Sequence, residues 1–357
     1  MVWKLFGTLL LALVGIASLY LLFWPVPIDP VAWTPPEAPA LTGVYAPNSL
    51  LAQVERLGRG VGIGPEDVAI DRSGRLYGSF EDGRVMRLDP DGSRPELFAR
   101  TGGRPLGMHF DPKQNLIVCD SPEGLIAIDP EGNTTVLSTK EGSVPFRFVD
   151  DVDIAADGTI YFSDASSRFA FPQVKADLME HRPNGRLLAY DPRTRTTRLV
   201  VDRLHFANGV AVSPDQSFVL VNETGKYRVH RHWLAGPRQG ETEIFIDNLP
   251  GFPDGISSNG KGIFWLPLVS PRKADVDALL ERPFLRKVVM RLPEVMLPAP
   301  DNYGFVLGLN TDGRVVHNLQ DPSGSFAQIS SVEEHDGQLY LGSLVEESIG
   351  RIPAPGT

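Results

Sequence analysis

Four residues at equivalent points of a repeat offer oxygen donors and nothing else: Glu66, Asp150, Asn208 and Asp254. They fall into register when six copies of one pattern are aligned on a turn residue, namely Gly74, Gln114, Gly158, Gln216, Gly262 and Gly337. The residue eight places earlier then reads Glu66, Leu106, Asp150, Asn208, Asp254 and Ile329. Three carboxylates and an amide drawn to one point would repel and lose hydration unless a cation stood among them. A donor set with no Cys or His favours calcium over zinc. Any one of the four, alone, is a common turn or strand cap; the shared register makes them a candidate metal site. The next place along reads Asp67, Gly107, Asp151, Gly209, Gly255 and Ser330. Asp67 and Asp151 are candidates for a second, deeper cation, or equally for structural hydrogen bonds.

The elements that must position these residues are short strands. Copies run VAIDRSGRLYGSF (68–80), MHFDPKQNLIVCD (108–120), VDIAADGTIYFSD (152–164), VAVSPDQSFVLVN (210–222), ISSNGKGIFWLPL (256–268) and EEHDGQLYLGS (333–343). Each alternates apolar and polar residues across a tight turn, as hairpins with one buried face do. The turn residues lie 40, 44, 58, 46 and 75 residues apart, and a four-stranded propeller blade takes about 40–45 residues. The expected fold is therefore all-β, a six-bladed β-propeller with insertions in the third and fifth blades. A β-sandwich has no reason to repeat one motif six times. Residues 46–58 are expected to supply a strand that closes the ring on the last blade and removes an open edge. In such a radial array the four oxygen residues converge on the axis, at one mouth of the channel.

Three stretches lie outside the repeat. Leu5 to Trp24 is a run of 20 residues without a charge, about the length that spans a bilayer. Residues 1–24 thus read as a transmembrane signal anchor, residues 25–45 as a Pro-rich stalk, and residues 46–357 as the propeller. Lys4 precedes the apolar run, which places the N-terminus in the cytoplasm and the propeller outside it as a single-pass membrane protein; the rival reading is a cleaved signal peptide. Lys273 to Leu292 is the one good helix pattern outside the anchor, split by Pro283, and gives a helical insertion before the last blade. It is either a lid on one propeller face or, through Arg282, Arg286, Lys287 and Arg291, a membrane-touching surface. The formal net charge of −10 is the wrong sign for a nucleic-acid partner. The single cysteine, Cys119, permits no intrachain disulfide and reads as a buried small hydrophobe.

The segments GPEDVAID (64–71), FVDDVDI (148–154), HRPNGRLLAYDP (181–192), FANGVAVSPD (206–215), GFPDGI (251–256) and EEHDGQLYLGS (333–343) resemble strictosidine synthase-like proteins over nearly all of residues 40–352. FANG and the Glu-Asp pair also resemble paraoxonases, and the wider set includes gluconolactonases and regucalcin. The resemblance implies a six-bladed propeller with a catalytic calcium held by Glu66, Asp150, Asn208 and Asp254. The family often has Asn at the place of Asp150; the extra charge should hold calcium harder yet leave it a weaker Lewis acid. Plant strictosidine synthases carry a glutamate four residues before their Glu-His-Asp-Gly motif, where this chain has Ser330, which argues against the condensing reaction. Paraoxonases place a histidine pair over the calcium, and the comparable strand here, LIVCDS (116–121), has none. Of the seven histidines, His181 is the one expected near the channel.

These readings converge on a calcium-dependent hydrolase of lactones or aryl esters acting on a small-molecule substrate, with Asp254 or Glu66 positioning the attacking water and His181 as a further catalytic candidate. The alternatives are a strictosidine synthase-like condensing enzyme and a non-catalytic binding propeller in which calcium is structural.

Overall fold

The alternating hairpins assemble, in the computed structural model, which describes residues 2–356, into six antiparallel sheets around a central channel. Blade one is made of Val68–Ile70, Leu76–Ser79, Arg84–Leu88 and Glu96–Arg100. The innermost strands of blades two, three and four are Arg104–Phe110, Val149–Ile154 and Ala207–Val212. In blade five the inner strand is broken into Gly251–Pro253 and Ser257–Ser258, and in blade six it is Ile329–His335. Blade six takes its outermost strand from the other end of the chain: Glu55–Leu57 pairs antiparallel with Ile349–Pro353, Arg56 opposite Gly350. The closing strand expected within 46–58 is thus present.

Alternation along each strand packs blade on blade. Ile117, Cys119 and Leu125 of blade two meet Val149, Phe162 and Leu188 of blade three in one cluster. Each such side chain contributes about 2 kcal/mol of burial. Cys119 is fully buried, as expected, and burial pushes its thiol pKa well up.

One irregularity recurs and positions the site. The pairing of the inner strand with its neighbour slips between Pro105 and Met108, Val149 and Val152, Ala207 and Val210, and Ile329 and Val332. A bulge at the channel-facing end of a strand adds a residue and re-aims its side chain. Leu106–Gly107, Asp150–Asp151, Asn208–Gly209 and Ser330–Ser331 occupy these bulges. The sixth place is therefore Ser330, not Ile329 as counted from the turn. The blade-six hairpin is tighter, with His335 pairing Gln338 across two residues, whereas Ile154 pairs Ile160 across five in blade three.

Helix α1 (Val2–Phe23) is long and apolar enough to cross a membrane, and none of it is buried against the propeller. Helix α2 (Val174–Glu180) lies in the blade-three insertion, and α3 (Ala274–Leu280) and α4 (Pro283–Val289) lie in the blade-five insertion. Pro283 sits in the first turn of α4, where a missing N–H costs nothing. Residues 25–45 are Pro-rich but do not form a free stalk. Ile28 is buried with Phe169 and Ala176, the Val31 and Trp33 amides donate to the Glu180 and Leu280 carbonyls, and Arg272 donates to the Pro36 carbonyl. The segment is a strap across one propeller face, held there by arginines that donate to its carbonyls and by its own amides, which donate to carbonyls of the insertions. The outermost residues of the expected anchor and propeller, Met1 and Thr357, lie outside the described residues.

Candidate metal centre

Glu66, Asp150, Asn208 and Asp254 line the floor of a single cavity of about 350 Å³, with apolar walls that include Leu106, Phe148, Phe171, Phe206 and Phe252. Four blades thus deliver four oxygen-bearing side chains to one place, as the repeat register anticipated. All four side chains are buried. Asn208 Nδ2 donates to Asp254 Oδ1 at 2.6 Å, while Glu66 Oε2 is buried with no partner. Arg104, the cation that draws the Glu66 and Asp150 pKa values down, directs its guanidinium to the Ser79 and Gly64 carbonyls instead.

The electrostatics follow from that arrangement. Burial, then repulsion from Asp150, Asp67 and Asp254, pushes Glu66 well above the usual carboxylate range. Burial and then Asp254 do the same to Asp150. Burial raises Asp254 to about 7 against the opposing Asn208 bond. Carboxylates so placed take up either protons or a cation. Among the described residues no group of three or more His, Cys, Asp or Glu side chains is already drawn together tightly enough to hold a metal. The fourth donor here is an amide, Asn208, which such a grouping does not count. The orphaned Glu66 oxygen and the all-oxygen donor set fit a calcium ion.

The backbone beneath is fixed from neighbouring blades. Asn222 donates to the Asp254 and Gly255 carbonyls, and Thr224 Oγ1 to the Pro253 carbonyl at 2.7 Å. Sequence reasoning missed both; their one signal is a position at the end of the blade-four hairpin or just past it. Ser330 Oγ donates to the Glu66 carbonyl at 2.5 Å. A Cβ on Gly209 would stand 2.5 Å from the carbonyl carbon of Gly255, so glycine is required where blades four and five meet.

Asp67 and Asp151 do not line that cavity; they line the adjoining, more polar section of the channel, which Glu66 also borders. Asp67 accepts the Val68 and Met108 amides, and Asp151 accepts the Val152 and Val210 amides. Each ties its own blade to the next. Of the two roles foreseen for this pair, the hydrogen-bonding one has its partners in place.

His181 is in the cavity wall. It ends α2 with φ 54° and lies between the rings of Trp33 and His205, with centroids 4.7 Å away on each side. Its Nε2 is buried without a partner. Burial, then His205 and Arg286, draw its pKa down to about 3, so it is neutral at physiological pH and a poor proton acceptor. His205 Nδ1 in turn meets Glu223, which also binds Arg228 and His230. The helical insertion forms part of the same wall through Val276, Leu280 and Met290, as the lid role foreseen for it requires. Arg286 and Arg291 do not face outward: the first donates to the Met179 and Leu280 carbonyls and the second to those of Leu21 and Trp24.

A six-bladed propeller with an apolar cavity ending on a ring of oxygen donors is the class defined by this geometry. A sequence profile for strictosidine synthase matches residues 150–237, and one for the N-terminal part of strictosidine synthase-like proteins matches residues 43–88. The adipocyte plasma membrane-associated protein of Bos taurus is 35% identical, over 89% of this chain and 82% of its own length. Strictosidine synthase-like 4 of Arabidopsis thaliana is 34% identical, over 92% and 88%. The chain belongs to the strictosidine synthase-like family. Among solved structures, a gluconolactonase of Xanthomonas campestris superposes with a TM-score of 0.62 at 17% identity, covering 86% of this chain and 91% of its own. The calcium-binding protein regucalcin of Agrobacterium tumefaciens gives 0.57 at 14%, covering 84% and 90%. These two establish the shared fold.

Proposed function

We propose that the chain is a calcium-dependent hydrolase of lactones or aryl esters, with Glu66, Asp150, Asn208 and Asp254 as the calcium ligands. The observation that carries this reading is the set of three buried carboxylates at the floor of the cavity, with Arg104 nearby but hydrogen-bonded to backbone carbonyls rather than to them. The likeness to a gluconolactonase and to a calcium-binding regucalcin is consistent with it. When bound, calcium supplies a Lewis acid that polarises a carbonyl and stabilises negative charge on its oxygen. The protein's own residues do the rest. Phe148, Phe206 and Phe252 exclude bulk water and hold the substrate's apolar part. Asp254 or Glu66 orients a water and accepts its proton as the new C–O bond forms. The ester C–O bond then breaks, and the proton passes to the departing oxygen, leaving an acid and an alcohol, or one hydroxy acid from a lactone. His181, with its low pKa, serves as a neutral wall and hydrogen-bonding group rather than as the base. Ser330, with its hydroxyl bound to the Glu66 carbonyl, offers no base for a condensing reaction.

The apolar helix anchors the chain in a membrane, with Lys4 cytoplasmic and the propeller on the other side. A C-terminal tag digested by protease added to intact cells supports that orientation, and a fully protected tag overturns it. For the reaction, the full chain purified in detergent should contain about one calcium per chain by elemental analysis. It should hydrolyse phenyl acetate, and chelator should abolish the activity. A chelated protein as active as the calcium-loaded one sinks the enzyme reading.

A further inference from the structure

The cavity has its oxygen donors at the floor and mostly apolar walls above, with Lys175, Lys273 and Glu294 the charged exceptions, so its ligand carries a polar head on a largely greasy body. Its surroundings say where such a ligand comes from. The strap and both insertions cover the propeller face on which the cavity opens: Trp33 of the strap stacks on His181 in the cavity wall. That same strap begins where α1 ends. Arg291 donates to the carbonyls of Leu21 and Trp24, which pins the blade-five insertion to the last turn of α1. Tyr20 and Trp24 pack there with tilted rings, centroids 5.7 Å apart, and Trp and Tyr are enriched at the level of a membrane interface. Between Arg291 and the cavity-lining residues Leu297 and Pro298 lie Val295 and Met296, 91% and 61% exposed. They follow Arg291 by four and five residues, hence within about 18 Å along an extended chain. Phe284 and Leu285 of α4 add 55% and 40% exposed apolar side chains to the same insertion. An exposed apolar rim next to a membrane helix, with no free linker between them, has the bilayer within reach.

We infer that the cavity takes a lipophilic, carbonyl-bearing ligand drawn from the bilayer, and that the rim of Phe284, Leu285, Val295 and Met296 rests on the membrane that α1 crosses. The substrate class is then a long-chain ester or lactone that partitions into lipid, with its carbonyl at the oxygen floor and its chain among the phenylalanines. The carbonyl end rests on the hydrolase reading above; the apolar end and the membrane contact do not. Arg286 and Arg291 are turned to backbone carbonyls and Lys287 to Asp29, which leaves exposed Arg282 beside the rim, so the contact is mainly apolar.

The test uses the full chain in phosphatidylcholine vesicles. The one native cysteine, Cys119, is buried, so Val295→Cys offers a single reactive site for an environment-sensitive fluorophore. Lys113→Cys, in the turn at the opposite end of blade two, is the control. The label at 295 should shift to the blue and lose emission to nitroxide-bearing lipids, whereas the label at 113 should do neither. Straight-chain methyl ketones, which keep the carbonyl and cannot be hydrolysed, should displace an apolar fluorescent probe from the cavity. Their Kd should fall about fourfold per added methylene until the cavity is full. Equal quenching at 295 and 113, as when a protein partner rather than lipid covers the rim, overturns the membrane contact. A flat ketone series overturns the lipophilic ligand. Ketone binding that deepens with length, in a protein that hydrolyses no ester, leaves this inference standing and removes the hydrolase reading instead.

Discussion

Two rings of acidic residues, one residue apart in sequence, are both raised in pKa by burial but differ in their hydrogen-bond partners. In the outer ring Glu66, Asp150 and Asp254 are buried and held above the usual carboxylate range; among the described residues Asp254 accepts from Asn208 alone, and Glu66 Oε2 has no partner. In the inner ring Asp67 and Asp151 each accept two backbone amides, one from their own strand and one from the next blade. Asp153 repeats the arrangement one step deeper, accepting the Ile154 and Val212 amides. Residue type and position in the fold are nearly the same, and the inner pair is somewhat less buried; the main difference is how far backbone amides answer the charge. Satisfied carboxylates join blades. Unsatisfied ones await a ligand, so hydrogen-bond satisfaction separates function from structure where composition does not.

The largest test of that contrast is a sign reversal. With calcium present, Asp254→Ala should reduce hydrolysis by at least about 100-fold, and Glu66→Gln should lower the melting temperature. In chelator, Glu66→Gln should instead raise it, by the equivalent of about 1–2 kcal/mol, because it removes a buried carboxyl that must either repel Asp150 and Asp254 or take up a proton. Thermal melts of both proteins in both conditions decide the matter. A Glu66→Gln protein destabilised equally with and without calcium would make the outer ring structural and erase the contrast.

Asp151→Ala tests the inner ring and should behave in the other way. It strands the buried amides of Val152 and Val210 and costs about 2–3 kcal/mol, by the same amount in calcium and in chelator. Denaturant melts provide the number. A cost that appears in calcium alone would make Asp151 a ligand.

Much of this is legible in the sequence. The six turn residues locate the hairpins, and the four oxygen donors appear in register because the inner strands bulge at one recurring point. The count from the turn fails at blade six, where the longer turns of the other blades give way to the two-residue turn Asp336–Gly337 and Ser330 moves into the sixth place. Helix α2 is seven residues long, too short for a helical period to stand out. The strap reads as a stalk because proline content predicts extension, not contact; what holds Ile28 and Trp33 down is roughly 150 to 250 residues away in sequence. Arg286 looks like a surface charge since nothing local reveals that carbonyls from three other segments surround it.

A third, smaller effect separates the cavity wall from its floor. His181 has its folded pKa drawn down to about 3 from an ordinary 6.5. Between those values the unfolded chain binds the proton and the folded one does not, so stability rises with pH across that window. The His181 contribution is full above pH 6.5 and is lost as pH falls towards 3. Asp177, raised by burial to about 6, acts with the opposite sign between about 4 and 6, which is why the comparison must be with a variant. His181→Phe keeps a ring between Trp33 and His205 and removes the titration. In chelator, its stability should fall less steeply than the native chain's from pH 6.5 to 3. Identical acid limbs would mean that His181 is not held neutral.

The smallest expected change is Ser330→Ala, and its smallness carries the argument. Ser330 stands at the sixth ring position, the only one with a hydroxyl, and four residues before the Glu-His-Asp-Gly motif. Its Oγ is bound to the Glu66 carbonyl, so it fixes backbone and is not a free donor to substrate. Loss of that bond should cost about 1 kcal/mol of stability and leave hydrolysis nearly unchanged. Asn208→Ala, elsewhere in the same ring, removes an oxygen and the bond that orients Asp254, and should cut activity while costing little stability. Steady-state rates on phenyl acetate, set beside melts of the same two proteins, compare a backbone tie with a ligand at equivalent ring positions. If Ser330→Ala loses as much activity as Asn208→Ala, the reaction runs over the Ser330 side of the ring, and the four-donor floor is not where the carbonyl binds.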